Sequence, residues 1–277
     1  MKPVDLDGLF DEKLAVYMEE NKGKYTEKQW ENLIPVLYRK FGDTYVSKIK
    51  ATPKQYYAAM SDGELAETFA AHLKEHIPVP DFLCSELESR NCTEALLPLL
   101  SASDAETVSY VINLIGADER AFPGYFSLLT DEGTDEDVRD TAAEKLKEKA
   151  DEAKASALDF YRQGKAEEYM LEILARVKER DEEVFRVLLD AFLAGGEKLP
   201  LRAGYLASYG DERALPYLLH RIEDRTIGFV EFQELKYAIE ALGGEYNEPR
   251  DFSDDKDYLR IEDVSSREGF SKGLPRS

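Results

Sequence analysis

Two of the three histidines in this chain and both of its cysteines fall between residues 72 and 92, as His72, His76, Cys84 and Cys92. The stretch His72-Leu73-Lys74-Glu75-His76 has the spacing at which one helix offers two imidazoles to zinc, with a carboxylate beside them to activate a bound water. The context argues against that use, because Ile77 and Pro78 follow at once and end the helix beside the second histidine. Histidines near a helix C-terminus are also favoured simply by the negative end of the helix dipole. Adding Cys84 and Cys92 gives four ligands of a kind that zinc accepts. Seven residues separate those cysteines, however, against two to four in compact zinc sites, and Phe82, Leu83 and Leu87 place Cys84 on an apolar helix face. The expectation is packing rather than coordination. No catalytic, cofactor-binding or metal residue is assigned, and a metal protein or zinc-dependent enzyme built on His72, Glu75 and His76 stands as the alternative.

The carboxylate clusters lead to a similar place. Asp131 to Asp137 and Asp251 to Asp257 lack the alternating oxygens, central glycine and closing glutamate of a calcium loop. The first is expected to be an inter-helix turn in which Thr134 or Asp135 caps the next helix, and the second a solvated charge run. No nucleophile elbow, phosphate-binding glycine loop or dinucleotide fingerprint occurs. Tyr38, Tyr45, Tyr56 and Tyr57 are candidates to line a binding groove, although most aromatics fall at helical core spacing.

The elements that would carry these residues are helices. Trp30, Leu33, Ile34, Leu37, Tyr38 and Phe41 form one apolar stripe, opened by a capping box of Thr26 with Gln29 and closed by Gly42. A helix over residues 5–20, with Leu6, Leu9, Phe10, Leu14, Tyr17 and Met18, is its natural partner. Thr52-Pro53 and Ser61-Asp62-Gly63-Glu64 open two further helices, and Pro78 and Pro80 end the second. Strand-like alternation is nearly absent, so the chain is expected to be all-α.

Charge narrows the partners. With 57 Asp+Glu against 36 Lys+Arg in 277 residues the formal net charge is −21, and no strongly segregated basic patch stands out. A nucleic-acid partner is therefore not expected, since binding requires cations that displace counterions from phosphate. The 43% hydrophobic content is that of a folded protein. No run reaches the length needed to span a bilayer, and the N-terminal sequence lacks the apolar core of a signal peptide, so a cytoplasmic protein without membrane partners is expected. Two cysteines are too few for a disulfide framework.

Internal repetition is the most informative pattern. A capping residue followed by Glu recurs at Thr93, Asp118, Asp151, Asp181 and Asp211, at separations of 25, 33, 30 and 30 residues. Each pair is read as a helix start, the side chain accepting from free amides and the Glu lying in the positive end of the dipole. A second helix follows each mark, at residues 106–114, 136–149, 166–178, 200–209 and 229–242. The motif Asp-Glu-Arg-Ala-apolar-Pro at 118–123 returns at 211–216, 93 residues on, and Thr93 to Pro98 is a looser copy. Helical pairs of about 30 residues, too small to bury their own apolar faces, stack on one another.

On these residues the stretch from about Val79 to Gly244 resembles HEAT-type repeats, in particular the short bacterial variety of the phycobilisome-lyase type, whose units read Gly-Asp-x-Arg-Ala-(Leu/Ile)-x-x-Leu. Residues 210–219 fit that pattern closely, and 116–126 fit with Ala117 inserted. The resemblance implies an α-α superhelix, a HEAT-like solenoid of stacked hairpins, and carries no lyase chemistry with it. HEAT-like glycosylases of alkylated DNA need a cationic channel, which the net charge opposes. The organisation read from the sequence is an N-terminal helical cap at 1–78, repeats at 79–244, and a polar tail at 245–277 that is either flexible or pinned by Tyr258, Leu259 and Ile261. The expected function is a non-catalytic protein-protein interaction scaffold, with no cofactor, whose partner is another protein carrying a basic segment.

Overall fold

The computed structural model describes residues 2–260, and among them helices joined by turns and loops are the regular structure, with an isolated antiparallel bridge between Val46 and Ala51 and no strand. The chain divides at Lys145/Leu146 into two compact units. That boundary rests on compactness, whereas the boundaries at 78/79 and 244/245 follow repeat and composition.

The N-terminal unit begins with α1 (Leu6–Glu20) and α2 (Glu27–Phe41), continues through α3 (Pro53–Ala58), α4 (Asp62–Lys74), α5 (Asp81–Ser89), α6 (Thr93–Leu96), α7 (Ala105–Ile115) and α8 (Phe122–Thr130), and runs into α9 (Glu136–Glu148). Short-range caps fix most of its helix starts. Thr26 with Gln29, Thr52 with Gln55 and Ser61 with Glu64 each form a reciprocal capping box, satisfying amides that have no partner inside the helix. Such a cap stabilises a helix by about 1 kcal/mol. The stripe on α2 meets α1 through rings: Phe10 lies edge-on to Tyr38 at 5.0 Å and Tyr17 edge-on to Trp30 at 6.1 Å. Burial is uneven, however, since Phe10 and Phe41 are buried while Leu14, Tyr17, Leu33, Ile34 and Leu37 are only half-covered.

The C-terminal unit is three helical pairs: α10 (Ala150–Arg162) with α11 (Glu167–Leu174), α12 (Glu182–Leu193) with α13 (Leu199–Tyr209), and α14 (Leu215–Ile222) with α15 (Phe229–Ala241). The first helix of each pair packs on the second; α13 also packs beside α15, and α11 beside α13. Met170, Leu171, Ile173 and Leu174 on α11 have no exposed surface, and Ala153 and Ala157 on α10 are small enough to let α11 approach closely.

Bonds between turns about one pair apart tie these elements together. In the N-terminal unit Thr93 donates to Asp118 at 2.8 Å. In the C-terminal unit Asp151 accepts from the amides of Lys178 and Glu179 at 3.0 Å, and Lys154 pairs with Asp181 at 2.9 Å. The Asp181 amide donates to Tyr209 Oη at 2.8 Å, and that hydroxyl donates back to the Asp181 carbonyl at 3.0 Å. Three of the five expected capping residues therefore do cap: Asp118 and Asp211 open 3-10 turns that lead into α8 and α14, and Asp181 opens α12. Thr93 and Asp151 instead sit inside the first turns of α6 and α10, where their side chains bond to a different turn.

Beyond α15 the chain is pinned along residues 245–260. Tyr246 is buried against Phe232, Phe252 lies 5.3 Å from Phe229 and 5.1 Å from Phe232, and Tyr258 meets Phe229 at 5.1 Å. Asp255 accepts from the Phe229 amide at 3.1 Å, capping α15 where Gly228 offers no side chain. Of the three residues expected to hold this segment, Tyr258 does so, Leu259 is half-exposed, and Ile261 lies outside the described residues.

Candidate functional site: grooves beside α2

The histidine pattern is not brought together. α4 ends at Lys74 with Glu75 as its C-cap, and His76 adopts φ 53°. The His76 amide bonds to the Leu73 carbonyl at 3.1 Å and the Ile77 amide to the His72 carbonyl at 2.9 Å, which is the double bond that unwinds a helix end. His76 has thus left the helical register that would set its imidazole one turn above His72. His72 is fully buried, Nδ1 lies 2.8 Å from the Pro78 carbonyl, and Nε2 has no partner. That contact makes Nδ1 the protonated nitrogen, and burial holds the imidazole pKa below its ordinary value.

Neither cysteine joins this group. Cys84 Sγ lies 3.3 Å from Tyr110 Oη, and Cys92 is buried with its thiol pushed up to about 11, first by burial and then by Asp62. Both remain thiols at neutral pH, a state that binds metal poorly. Among the described residues no three His, Cys, Asp or Glu side chains are placed to hold a metal ion. The carboxylate clusters act as local acceptors: Asp131 takes the Gly133 amide, Asp135 the Asp137 amide, Asp251 the Ser253 amide, and Asp255 caps α15.

Surface concavities gather instead around α2. A groove of about 910 Å³ runs between α2, α3 and α5, lined by Tyr38, Phe82 and Ala58 and by charges of both signs, Arg39, Lys40 and Lys54 with Asp43, Asp81 and Glu86. Tyr38 and Phe82 stack at 4.7 Å with their rings 12° apart. Gly42 permits this approach. It closes α2 as its C-cap, yet at φ −55°, so its value is space: a Cβ there would stand 2.5 Å from the Phe82 ring and 3.0 Å from the Lys54 stem. Tyr38 also donates to Asp7 at 2.6 Å, joining α2 to α1. Burial raises the pKa of both groups, that of Asp7 despite the opposing hydrogen bond.

On the other side of α2 a smaller groove of about 250 Å³ lies against α1, lined by Phe10, Leu14, Tyr17, Leu37 and Phe41, with Lys13 and Lys40 among its lining residues and no acid. Of the tyrosines expected to line a groove, Tyr38 does, Tyr57 is buried with an unpartnered hydroxyl, and Tyr45 is 63% exposed. A third concavity, about 630 Å³ between α7, α8 and the turn into α9, includes Arg120, whose guanidinium is held by Asp118 at 2.6 Å. Sequence reasoning named Tyr38 as a groove residue but placed neither groove beside α2. The available signal was the run from Arg39 to Lys54, where Arg39, Lys40, Lys48, Lys50 and Lys54 accompany a single acid, Asp43.

Lys54 pairs with Asp43 at 2.7 Å. Lys13, Arg39, Lys40, Lys48 and Lys50 have no carboxylate partner among the described residues; Lys13 lies 5.2 Å from the centre of the Phe41 ring, and Arg39 reaches only the Pro35 carbonyl. No helix among the described residues is long and apolar enough to cross a membrane. No family model matches this chain, and a search of curated proteins likewise returns no match.

Proposed function

We propose that the chain is a non-catalytic protein-interaction module whose helical pairs are HEAT-like repeats. The observation that carries this reading is bonding at repeat spacing: Thr93 to Asp118, Asp151 to the 178–179 amides, Asp181 to Tyr209 and Glu182 to Arg213 each link turns one pair apart. Pairs joined in this way carry their load between neighbours, which leaves side chains on their outer surfaces available to a partner. The side-by-side order of α11, α13 and α15 fits the same reading.

The partner that bulk charge favours is a protein with a basic segment. Some acids on the second helices are already neutralised, Glu168 by Arg202 at 2.6 Å, Glu172 by Lys147 at 2.5 Å and Glu231 by Arg221 at 2.6 Å. Attraction then rests on the remaining carboxylates and weakens with salt. The test is to immobilise the purified chain and identify proteins retained at about 50 mM salt and released at about 500 mM, where screening is several-fold stronger. Specific retention with this salt dependence is the expected result. No retained protein, together with stoichiometric zinc that is lost on His72→Ala, would replace this reading with a metal protein.

A further inference from the structure

The groove between α1 and α2 is lined by two lysines and no acid, although the chain as a whole is strongly acidic. We propose that the groove between α1 and α2 docks an acidic amphipathic helix supplied by a partner protein, an assignment that rests on the interaction-module reading. The groove has the two properties such a segment requires. Its lining is mainly apolar, with Leu14, Tyr17 and Leu37 only half-covered by the hairpin itself. An apolar stripe on a docked helix completes burial that α1 and α2 leave unfinished. Lys13 and Lys40 supply the charge.

Charge complementarity selects the occupant. Lys40 lines both grooves beside α2, with Arg39 on the wall of the larger one, while Lys48 and Lys50 lie on the tight loop closed by the Val46–Ala51 bridge. The larger groove also counts Asp43, Asp81 and Glu86 in its lining, but the smaller one has no acid beside Lys13 and Lys40, so a basic segment there would meet repulsion while glutamates at the rim of a docked helix would be paired. A nucleic acid would use the cations but would gain little from a groove lined by Phe10, Leu14, Leu37 and Phe41. The apolar lining favours the amphipathic helix.

The probe is a fluorescein-labelled helical peptide of about five turns, with leucines on one face and glutamates on the other. Its anisotropy is followed with the full chain at about 50 and 300 mM salt. Binding is expected to weaken about tenfold when the glutamates are replaced by lysines, or when the leucines are replaced by serines. It is expected to weaken by a similar factor in Lys13→Glu/Lys40→Glu and to stay unchanged in Lys165→Glu/Lys178→Glu, whose lysines lie on the C-terminal unit. Circular dichroism checks that both double variants remain folded. Equal binding of the lysine peptide, unchanged binding to Lys13→Glu/Lys40→Glu, or equally tight binding of a short DNA duplex overturns the proposal. So does a dimer of the chain that this charge reversal dissolves, because the occupant would then be a second copy. If the acidic peptide binds Lys13→Glu/Lys40→Glu as tightly as the wild type while the salt-sensitive partners of the module test are still retained, the groove assignment falls and the module reading stands; if the chain retains no protein and binds no peptide, both fall.

Discussion

In the C-terminal unit Arg180, Arg202 and Arg250 donate to the carbonyls that end α13, α12 and α14, whereas along α1 and α2 Lys13, Arg39 and Lys40 form no ion pair with a carboxylate among the described residues. The same residue types thus do different work. A guanidinium that meets a helix end saturates orphan carbonyls and adds a positive charge where the dipole is negative. A cation with no such neighbour keeps its charge for something outside the chain. Arg90 shows that the device exists in the N-terminal unit as well, since it donates to the carbonyls of Ala58 and Met60 at 2.8 and 2.7 Å while pairing with Glu86.

The contrast is broken most severely at Arg202. Its guanidinium holds Glu168 at 2.6 Å and the Ala191 carbonyl at 2.9 Å, and both side chains are largely buried. Arg202→Ala is expected to cost about 3 kcal/mol, because it leaves a largely buried carboxylate, whose second oxygen already lacks a partner, with only the longer 3.7 Å pairing to the exposed Lys198. Urea unfolding followed by circular dichroism measures this loss, and a cost under about 1 kcal/mol would mean that the guanidinium is not structural. Tyr209→Phe removes one donor and one acceptor from the turn at Asp181 and is expected to cost about 1 to 2 kcal/mol in the same assay.

Arg250→Ala sharpens the comparison in another way. It deletes the bonds to the Ile222 and Asp224 carbonyls and a cation contact 4.9 Å from the Phe232 ring. Limited proteolysis is expected to cut residues 245–260 several-fold faster while α10 to α15 remain intact. Unchanged cleavage would show that Tyr246 and Phe252 suffice.

The buried His72 gives the N-terminal unit a pH dependence of defined sign. Its folded pKa lies below the unfolded value near 6.5, so the unfolded chain takes up the proton first and stability falls as pH drops below about 6.5. Asp5 and Asp7 on and beside α1 offset part of this effect by favouring the imidazolium. Asp118, held low chiefly by Arg120, loses its contribution only below about pH 4, outside that window. The urea midpoint of the wild type should therefore fall between pH 7 and 5, and that of His72→Asn should fall less; parallel curves would remove His72 as the cause. The smallest effect belongs to Lys13→Ala and Lys40→Ala, each expected within about 0.5 kcal/mol of the wild type. A larger loss would make these lysines structural and erase the contrast with Arg202.

Legibility follows the range of the interaction. Capping boxes at Thr26, Thr52 and Ser61 join residues three apart, and the residue types alone announce them. The second helices read at 106–114, 136–149, 200–209 and 229–242 appear at 105–115, 136–148, 199–209 and 229–241, because apolar periodicity is equally local. The stretch read as 166–178 ends earlier, at Leu174, with Ala175 as its cap. The acceptors of Arg90, Arg180 and Arg250 lie 26 to 32 residues away, and nothing in the neighbourhood of those arginines signals them. The larger groove beside α2 escaped for a related reason, since it depends on how Gly42 lets Phe82 and Lys54 approach, and the smaller one on how far α1 covers the stripe of α2.

By itself the sequence determined the helical character of the chain, most helix limits and the recurring turns, all consequences of side chains acting within one turn of their own backbone. Only the tertiary structure decided that His76 leaves its helix, that residues 245–260 are pinned to α14 and α15, and which cations are already occupied. Each of those outcomes depends on which helix end or ring arrives from tens of residues away, and no local pattern encodes that arrival.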